Sequence, residues 1–399
     1  MNLDPETEFY LAKPNHGANE QIAGLISSGD KDSAELIREM IDTPQAVWVE
    51  SGTPFKVQQA VKNTVQRAAG KKTVPVLVAY NLPFRDCAQF SAGGATTVEE
   101  YTAWIDGFAA GIGDSQAIVI LEPDGLGIIP WYTNIDGVLE WCQPGESDPV
   151  TAAAERFFML NYAVDALKAH QNVKVYLDGT HSAWLNVGDN SDRLNKAGVE
   201  RADGFYLNVS NYQYTANLVQ YGTWISKCLE SGDFSGCANQ YWNGGPEGTK
   251  IADLLGPWTG VALSNYGEWS DDSDDPVLNT SGINARYGDI EPTTHFVIDT
   301  SRNGQGPWAP PAYPDQQDWC NPPGRGLGLR PTADSGNPLI DATLWVKIPG
   351  ESDGECTRGL GPAGETIDPE WGHIDPPAGE WFPEMALDLV ENANPPLEP

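Results

Sequence analysis

The chain has 399 residues, of which 40% are hydrophobic, 10% aromatic and 20% charged, a composition that is typical of globular proteins. Its formal net charge of −33 argues against nucleic acids and anionic membrane surfaces as partners, because both carry negative charge and would be repelled. A neutral polymer remains compatible with this charge. No apolar run approaches the roughly 18 residues that a membrane-spanning helix requires.

Short apolar segments alternate along the chain with segments of helical periodicity. We predict strands over 45–50, 74–80, 117–122, 173–178, 204–209, 294–299 and 342–347. We predict helices over 32–41, 55–69, 98–111, 151–170, 192–197, 216–229 and 380–392. Such alternation is typical of an α/β protein with a parallel sheet covered by helices. Seven strands rather than eight favour a distorted TIM-like (β/α) barrel over a regular one.

Two long segments interrupt this alternation. Residues 231–292 are rich in Gly, Asn, Asp, Ser and Trp, and residues 355–377 are rich in Gly and Pro. Loops longer than about 15 residues are uncommon unless they are functional or disordered, and both segments contain tryptophan. We therefore expect ordered loops that cover a cleft. Because there is no internal repeat and no interdomain linker, residues 1–399 are interpreted as a single domain.

Carboxylates lie at the ends of five predicted strands or shortly beyond them. They are Asp86, Glu122 with Asp124, Asp178, Asp299, and Glu351 with Asp353. In an α/β barrel the functional groups gather at the carboxyl ends of the strands. Each acid taken alone is equally compatible with a helix cap or a solvated loop residue. Five such positions together predict a cleft lined with carboxylates.

The chain contains six cysteines, without a CxxC or His-paired metal pattern. An even number favours disulfides, and six cysteines allow 15 pairings. Pairing of sequence neighbours would give Cys87–Cys142, Cys228–Cys237 and Cys320–Cys356. Disulfides persist in oxidising compartments, so we expect a secreted, extracellular protein. Six buried free thiols in a cytosolic enzyme are the alternative.

Aromatic residues and paired acids together indicate sugar chemistry. Fourteen tryptophans and fourteen tyrosines supply flat faces that stack on sugar rings, although most tryptophans are expected to fill the core. Two carboxyl groups in a cleft suggest glycoside hydrolysis, in which one protonates the leaving oxygen. Asp124 follows a buried run, and burial would raise its pKa. Asp86 lies next to Arg85 and is expected to perturb Asp124 or to relay a proton.

Several blocks of sequence resemble glycoside hydrolase family 6, which contains inverting endoglucanases and cellobiohydrolases. The matching blocks are 80–87 (YNLPFRDC), 120–126 (ILEPDGL), 176–184 (YLDGTHSAW), 207–212 (LNVSNY), 318–321 (DWCN) and 345–354 (WVKIPGESDG). They occur in order over almost the whole chain. The resemblance implies a distorted seven-stranded β/α barrel and a single glycoside hydrolase catalytic domain, without a cofactor or metal.

The resemblance also implies catalytic roles. Asp124 is the general acid, and Asp86 tunes it and helps to pass a proton from the attacking water. Asp353 is the debated base, neutralised by an arginine. Tyr80 presses the sugar at the cleavage point out of its relaxed chair, and Ser91 helps to hold the water.

Substrate-binding residues follow from the same matching blocks. Aromatic residues would stack on glucose on either side of the cleaved bond, and polar residues would shape the site or bond sugar hydroxyls. The set is Trp48, Asp178, His181, Trp184, Asn211, Trp319, Lys347 and Glu351. The family pattern includes Cys87–Cys142 and Cys320–Cys356, whereas Cys228–Cys237 lies outside it.

The expected activity is inverting hydrolysis of β-1,4-glucosidic bonds in cellulose or soluble β-1,4-glucans by a monomer. Segment 355–377 resembles a loop that cellobiohydrolases keep, which favours cellobiohydrolase-like or processive action from the non-reducing end, with cellobiose as product. The short loop 87–100, with Ser91-Ala92-Gly93-Gly94, resembles the open type of endoglucanase, so an open-cleft endo-β-1,4-glucanase is the alternative. A non-catalytic glucan-binding protein and an enzyme for another β-glucan are further alternatives.

Overall fold

A seven-stranded parallel sheet forms the centre of the computed structural model, which describes residues 3–241 and 261–397. The strands are β1 (Val47–Val49), β2 (Val76–Ala79), β3 (Ala117–Leu121), β4 (Val173–Asp178), β5 (Gly204–Leu207), β6 (Phe296–Asp299) and β7 (Ile340–Leu344). Each strand pairs with the next in chain order. The sheet curls until the Ala46 N–H donates to the Trp345 carbonyl at 2.9 Å, beside its two edge strands. The predicted α/β fold with seven parallel strands is confirmed.

Burial on both faces explains why each strand is a nearly continuous apolar run. Along β3, Ile118 and Ile120 pack with Tyr176 in the interior of the curled sheet. Val119 and Leu121 belong to the larger cluster between the sheet and the helices. Both faces of the sheet are therefore covered, and its functional surface is left at the ends of the strands.

Helices connect successive strands and cover the outside of the sheet. Those that the structure describes are α1 (His16–Ser28), α2 (Lys31–Ile41), α3 (Pro54–Lys71), α4 (Val98–Ile112), α5 (Ala152–Lys168), α6 (Val187–Lys196), α7 (Thr215–Ser231), α8 (Ser281–Tyr287) and α9 (Pro383–Glu391). No helix among the described residues is long and apolar enough to cross a membrane.

Three helices differ from the sequence predictions. Helix α1 was not predicted, because it buries only Ala18 and Ile22 and so lacks an apolar stripe. Helix α8 was also not predicted, and its seven residues are too few for a clear period. Helix α6 begins five residues before the predicted start at 192, because its first turns bury polar residues such as Asp189 and Asn190.

All three predicted disulfides are present. Cys87–Cys142 joins the loop after β2 to the loop after β3, and Cys320–Cys356 joins the segments that follow β6 and β7. Cys228–Cys237 links the end of α7 to the residues that follow it. Residues 242–260 of the predicted loop 231–292, including Trp242 and Trp258, lie outside the described residues.

Candidate active site

A cleft of about 590 Å³ lies at the carboxyl ends of the strands. Its walls come from the loops that follow all seven strands, as expected for an α/β barrel. Most of the residues predicted to be functional line this cleft: Trp48, Tyr80, Arg85, Asp86, Ser91, Asp124, His181, Trp184, Asn211, Trp319, Lys347, Glu351 and Asp353. The exception is Asp178, which lies behind the wall.

Asp124 is the acid with the most unusual environment. It stands on the loop after β3 in a left-handed backbone conformation, with φ of 63°. Its carboxyl group has no hydrogen-bond or ion-pair partner among the described residues, and it faces the cleft. Burial, followed by the charges of Asp178 and Asp86, raises the pKa of Asp124 well above its ordinary value. These surroundings favour the protonated form of the Asp124 carboxyl group, and no bonding partner among the described residues occupies it.

Buried carboxylates hold the loops of the cleft from behind. Glu122 accepts the backbone N–H groups of Asn81 (2.8 Å) and Leu82 (3.0 Å). Burial raises the pKa of Glu122 to about 7, against the lowering effect of these hydrogen bonds. The N–H groups that Glu122 accepts directly follow Tyr80, so this carboxylate fixes the chain at that cleft residue.

Asp178 and Asp299 make the same kind of contact. Asp178 accepts the N–H groups of Leu126 (3.1 Å) and Gly127 (3.0 Å), on the loop that carries Asp124. Asp299 accepts the N–H of Lys347 at 2.9 Å. These observations correct the expected carboxylate-lined cleft, because Glu122, Asp178 and Asp299 face backbone amides and not the cleft. Asp178 is buried and is not among the residues that line the cleft.

Tyr80, Arg85 and Asp86 form a compact group after β2. The Arg85 guanidinium lies 4.3 Å from the centre of the Tyr80 ring and donates to the Ser91 carbonyl at 2.9 Å. The Ser91 N–H donates to Asp86 at 2.7 Å. Burial raises the pKa of Asp86 to about 6, although this hydrogen bond and Arg85 lower it. Asp86 is therefore able to exchange a proton near neutral pH.

Asp353 has the opposite environment from Asp124. It accepts hydrogen bonds from Arg302 at 2.9 Å, from the Tyr212 hydroxyl at 3.0 Å and from the Asn321 N–H at 3.0 Å. Lys347 lies 3.5 Å from its other oxygen. Burial opposes ionisation, but the charges of Arg302 and Lys347 hold the pKa of Asp353 below its ordinary value. Asp353 is a fixed anion rather than a free base.

Arg302, Tyr212 and Asn321 were not singled out as functional side chains by sequence reasoning. Tyr212 and Asn321 lie inside blocks that resemble the family. Arg302 follows β6 by three residues, within a polar run that begins at Asp299. The available signal was therefore a charged side chain just beyond a buried strand. Its partner could not be read from the sequence, because 51 positions separate Arg302 from Asp353.

Aromatic side chains line the cleft on both sides of the acids. The Trp48 ring meets the Tyr80 ring edge-on at 5.4 Å, and its Nε1–H donates to the Val346 carbonyl at 2.8 Å. Trp184 packs against Gly127, where a Cβ would lie 2.6 Å from the indole ring. The centre of the Trp319 ring lies 6.0 Å from the centre of the Phe90 ring. These rings are held in place by the fold and present surfaces to the cleft.

The remaining predicted binding residues are polar. Burial lowers the pKa of His181 to about 3, so its imidazole is neutral, and its ring lies 5.7 Å from that of Trp184. Glu351 accepts a hydrogen bond from the Asn15 side chain at 2.8 Å. Lys347 donates to the Ser352 carbonyl at 3.1 Å. Asn211 lines the cleft. These groups offer donors and acceptors of the kind that sugar hydroxyls require.

Segment 355–377 ends where the chain reaches the cleft, because Ala378 and Gly379 line it, as does Asn265 of the other long segment. No residue of segment 355–377 itself lines the cleft. Arg358 is fully buried and pairs with Asp368 at 2.7 Å. Its guanidinium also donates to the Gln317 and Cys320 carbonyls, each at 2.7 Å. Arg358 thus anchors the segment to Gln317 and Cys320, which flank Asp318 and Trp319.

Comparisons with known proteins agree with these features. Residues 5–393 match the model of the family described as glycosyl hydrolases family 6. Endoglucanase A of Cellulomonas fimi is 33% identical over 390 residues, which cover 98% of this chain and 62% of the relative. A probable 1,4-beta-D-glucan cellobiohydrolase C of Aspergillus niger is 28% identical over 88% of this chain and 69% of the relative.

Similarity extends to solved structures. The endoglucanase Cel6 from Mycobacterium tuberculosis, in complex with methyl-cellobiosyl-4-deoxy-4-thio-beta-D-cellobioside, is 30% identical with a TM-score of 0.65. The match covers 98% of this chain and 99% of that chain. By contrast, the chain spans only 62% and 63% of the length of the endoglucanases A from Cellulomonas fimi and Thermobispora bispora.

The packing of segment 355–377 predicts a large effect of one buried substitution. Arg358→Ala would leave Asp368 as an unpaired buried charge, which typically costs about 3–5 kcal/mol. We expect urea unfolding to show a loss of that order. Arg201→Ala is the matched control, because its partner Asp165 is 62% exposed, and exposed pairs contribute less than about 1 kcal/mol. Equal losses for the two variants would contradict the buttressing role of the segment.

Proposed function

The chain belongs to glycosyl hydrolases family 6, and from this premise we propose that it cleaves β-1,4-glucosidic bonds in cellulose or soluble β-1,4-glucans with inversion. The observation that carries the proposal is the state of Asp124. Its carboxyl group faces an aromatic-lined cleft and has no bonding partner among the described residues, and its pKa is raised. Such a group is suited to protonate a bridging oxygen.

The proposed reaction is a single displacement. Asp124 transfers its proton to the glycosidic oxygen as the bond from that oxygen to the anomeric carbon breaks. A water molecule attacks the anomeric carbon from the opposite face of the sugar and loses a proton. Asp86 is the best-placed acceptor among the acids described above, because its pKa is about 6 and its group lines the cleft. Ser91 is adjacent, since its N–H donates to Asp86.

Asp353 contributes a fixed negative charge in this proposal. Arg302, Tyr212 and Asn321 occupy one of its oxygens, so the group is a weak proton acceptor. The charge nevertheless stabilises an oxocarbenium-like transition state, in which positive charge develops on the sugar. Tyr80 keeps its hydroxyl proton, because burial and the neighbouring acids raise its pKa, and it forms the neutral surface against the distorted sugar.

Neutral aromatic surfaces and polar side chains would hold the glucan. Trp48 and Trp319 are proposed to stack on glucose units on the non-reducing side of the cleaved bond, and Trp184 on the reducing side. His181, Asn211, Lys347 and Glu351 are proposed to bond hydroxyl groups. All seven line the cleft. Asp178 is proposed to position the Asp124 loop instead of binding sugar.

Endo action fits the cleft better than the cellobiohydrolase-like action that the sequence favours. The segment expected to cover the cleft, 355–377, contributes no lining residue of its own, and its Arg358 is buried against Asp368. Cellobiohydrolase-like action remains the second candidate, because Phe90 and Trp319 both line the cleft and their rings meet at 6.0 Å. This contact between the loop after β2 and the segment after β6 is the feature that favours the second candidate.

The disulfides bear on where the protein acts. Three disulfides support secretion into an oxidising, extracellular environment. We propose that the protein acts there as a monomer on glucan chains and that it releases short products such as cellobiose.

The general-acid role predicts the effect of Asp124→Asn. Removing the transferable proton should lower hydrolysis of a soluble cello-oligosaccharide by about 10²–10⁴-fold, while calorimetry should still detect oligosaccharide binding. Proton NMR of the wild type should show the α anomer first. Asp114→Asn, at an exposed position, should hydrolyse normally. An initial β anomer would exclude inversion, and binding without hydrolysis by the wild type would favour a glucan-binding protein.

The pair Asp86 and Asp124 predicts a pH dependence. Asp86 must be ionised to accept a proton, so the rate should fall as the pH drops below about 6. Asp124 must be protonated, so the rate should fall again at higher pH. Because the Asp86 charge raises the pKa of Asp124, Asp86→Asn should move the alkaline limb to lower pH. Profiles of kcat/KM for wild type, Asp86→Asn and Asp114→Asn test this, and an unmoved alkaline limb would refute the coupling.

The mode of action has its own measurement. On carboxymethyl cellulose, an endo enzyme cuts internal bonds, so viscosity should fall steeply while few reducing ends appear. The Asp124→Asn variant serves as the negative control. A slow fall in viscosity with cellobiose as the dominant early product would reject endo action in favour of the cellobiohydrolase-like candidate.

A further inference from the structure

We propose that Trp141 forms an additional glucan-binding platform that extends the cleft beyond the residues considered so far. The inference rests on the proposed function and adds a subsite to it. Trp141 belongs to residues 131–142, named here the β3 hairpin, which follow β3 and precede α5. Nothing in the sequence distinguished this tryptophan from the others.

The Trp141 side chain is exposed to solvent. Trp141 is the most exposed tryptophan among the described residues, with 54% of its surface accessible. Its side chain makes no hydrogen bond, ion pair or ring contact within the part of the chain that the structure describes. Tryptophan is usually buried or bonded through its indole N–H. The exposed indole face of Trp141 is therefore available to a ligand.

Rigidity is the second observation. The β3 hairpin is closed by an antiparallel bridge between Thr133 and Leu139. The Glu140 N–H donates to the Tyr132 carbonyl at 2.8 Å, directly before Trp141. The Glu140 side chain is paired with the buried Arg193. Backbone hydrogen bonds and a buried ion pair thus hold the residue that precedes Trp141. Little conformational entropy would therefore be lost when a ligand binds to this platform.

Continuity with the cleft is the third observation. Trp141 lines the same cleft as Asp124 and Trp184. The next residue, Cys142, is bonded to Cys87, which is adjacent to Asp86. The platform is thereby tied covalently to the loop that carries the proposed proton acceptor. A chain lying in the cleft could reach Trp141 without leaving the surface that holds the reacting bond.

The chemistry of the patch favours a neutral polymer. Val138 and Leu139, which lie on the same hairpin, are 60% and 47% exposed, so the hairpin presents further apolar surface to solvent. The apolar face of a glucose ring matches such a surface. A single aromatic contact of this kind changes affinity by about three- to tenfold. The platform should therefore matter for long chains, which reach it, and not for short ones.

Binding measurements in the Asp124→Asn background test the platform without hydrolysis. Calorimetry with cello-oligosaccharides of two to six units should show that Trp141→Ala weakens binding of the longest by about three- to tenfold. Binding of the shortest should not change, and Trp141→Phe should recover part of the loss. The matched control is Phe158→Ala on α5, where an aromatic ring is 55% exposed but does not line the cleft.

Each alternative result is informative. Unchanged affinity at every length would overturn the platform, and equal weakening at every length would show a general effect on the cleft instead. A change in sedimentation of Trp141→Ala would indicate that a second copy of the chain covers the patch, which also overturns the proposal. Absence of binding by Asp124→Asn for every oligosaccharide would overturn the proposed function itself, and with it the platform.

Discussion

The cleft depends on buried carboxylates that accept backbone N–H groups from the loops beside them. Glu122, at the end of β3, holds the chain after Tyr80. Asp178, at the end of β4, holds the loop of Asp124. Asp299, at the end of β6, holds the chain at Lys347. Each contact joins the end of one strand to the loop after a neighbouring strand. The relative positions of the cleft residues therefore depend on the register of the strands in the sheet.

These contacts also hold a strained backbone. Non-glycine residues with positive φ are concentrated after β2 to β5, and they include Asp86 (57°), Asp124 (63°) and Asn208 (71°). Such conformations cost about 1–3 kcal/mol each and persist where the surrounding structure fixes them. Hydrogen bonds that backbone N–H groups donate to buried carboxylates are among the stronger bonds available for this purpose. The strain lies where side chains must turn toward the cleft, at Asp86 and Asp124.

The sequence predicts the framework better than the function of each acid. Seven apolar runs were sufficient for the strands, because both faces of the sheet are buried. Glu122 and Asp124 are two residues apart after the same strand, yet one binds amides and the other faces the cleft. That difference depends on where the chain after β2 places its N–H groups, which no local pattern records. Arg358 shows the same limit, since a charged residue in a Gly- and Pro-rich segment reads as exposed although it is fully buried.

Cations decide which acid keeps its proton. Arg302 and Lys347 surround Asp353 and hold its pKa low. Asp124 has no ion-pair partner in the part of the chain that the structure describes, and its neighbours Asp178 and Asp86 add negative charge. Two carboxyl groups at the ends of strands thus reach opposite states through their surroundings, which is the arrangement that acid-assisted cleavage requires. The same placement suits an uncharged polymer. Arg302 and Lys347, the two cations beside Asp353, are already paired within the protein, and the strongly negative net charge of the chain would repel an anionic ligand.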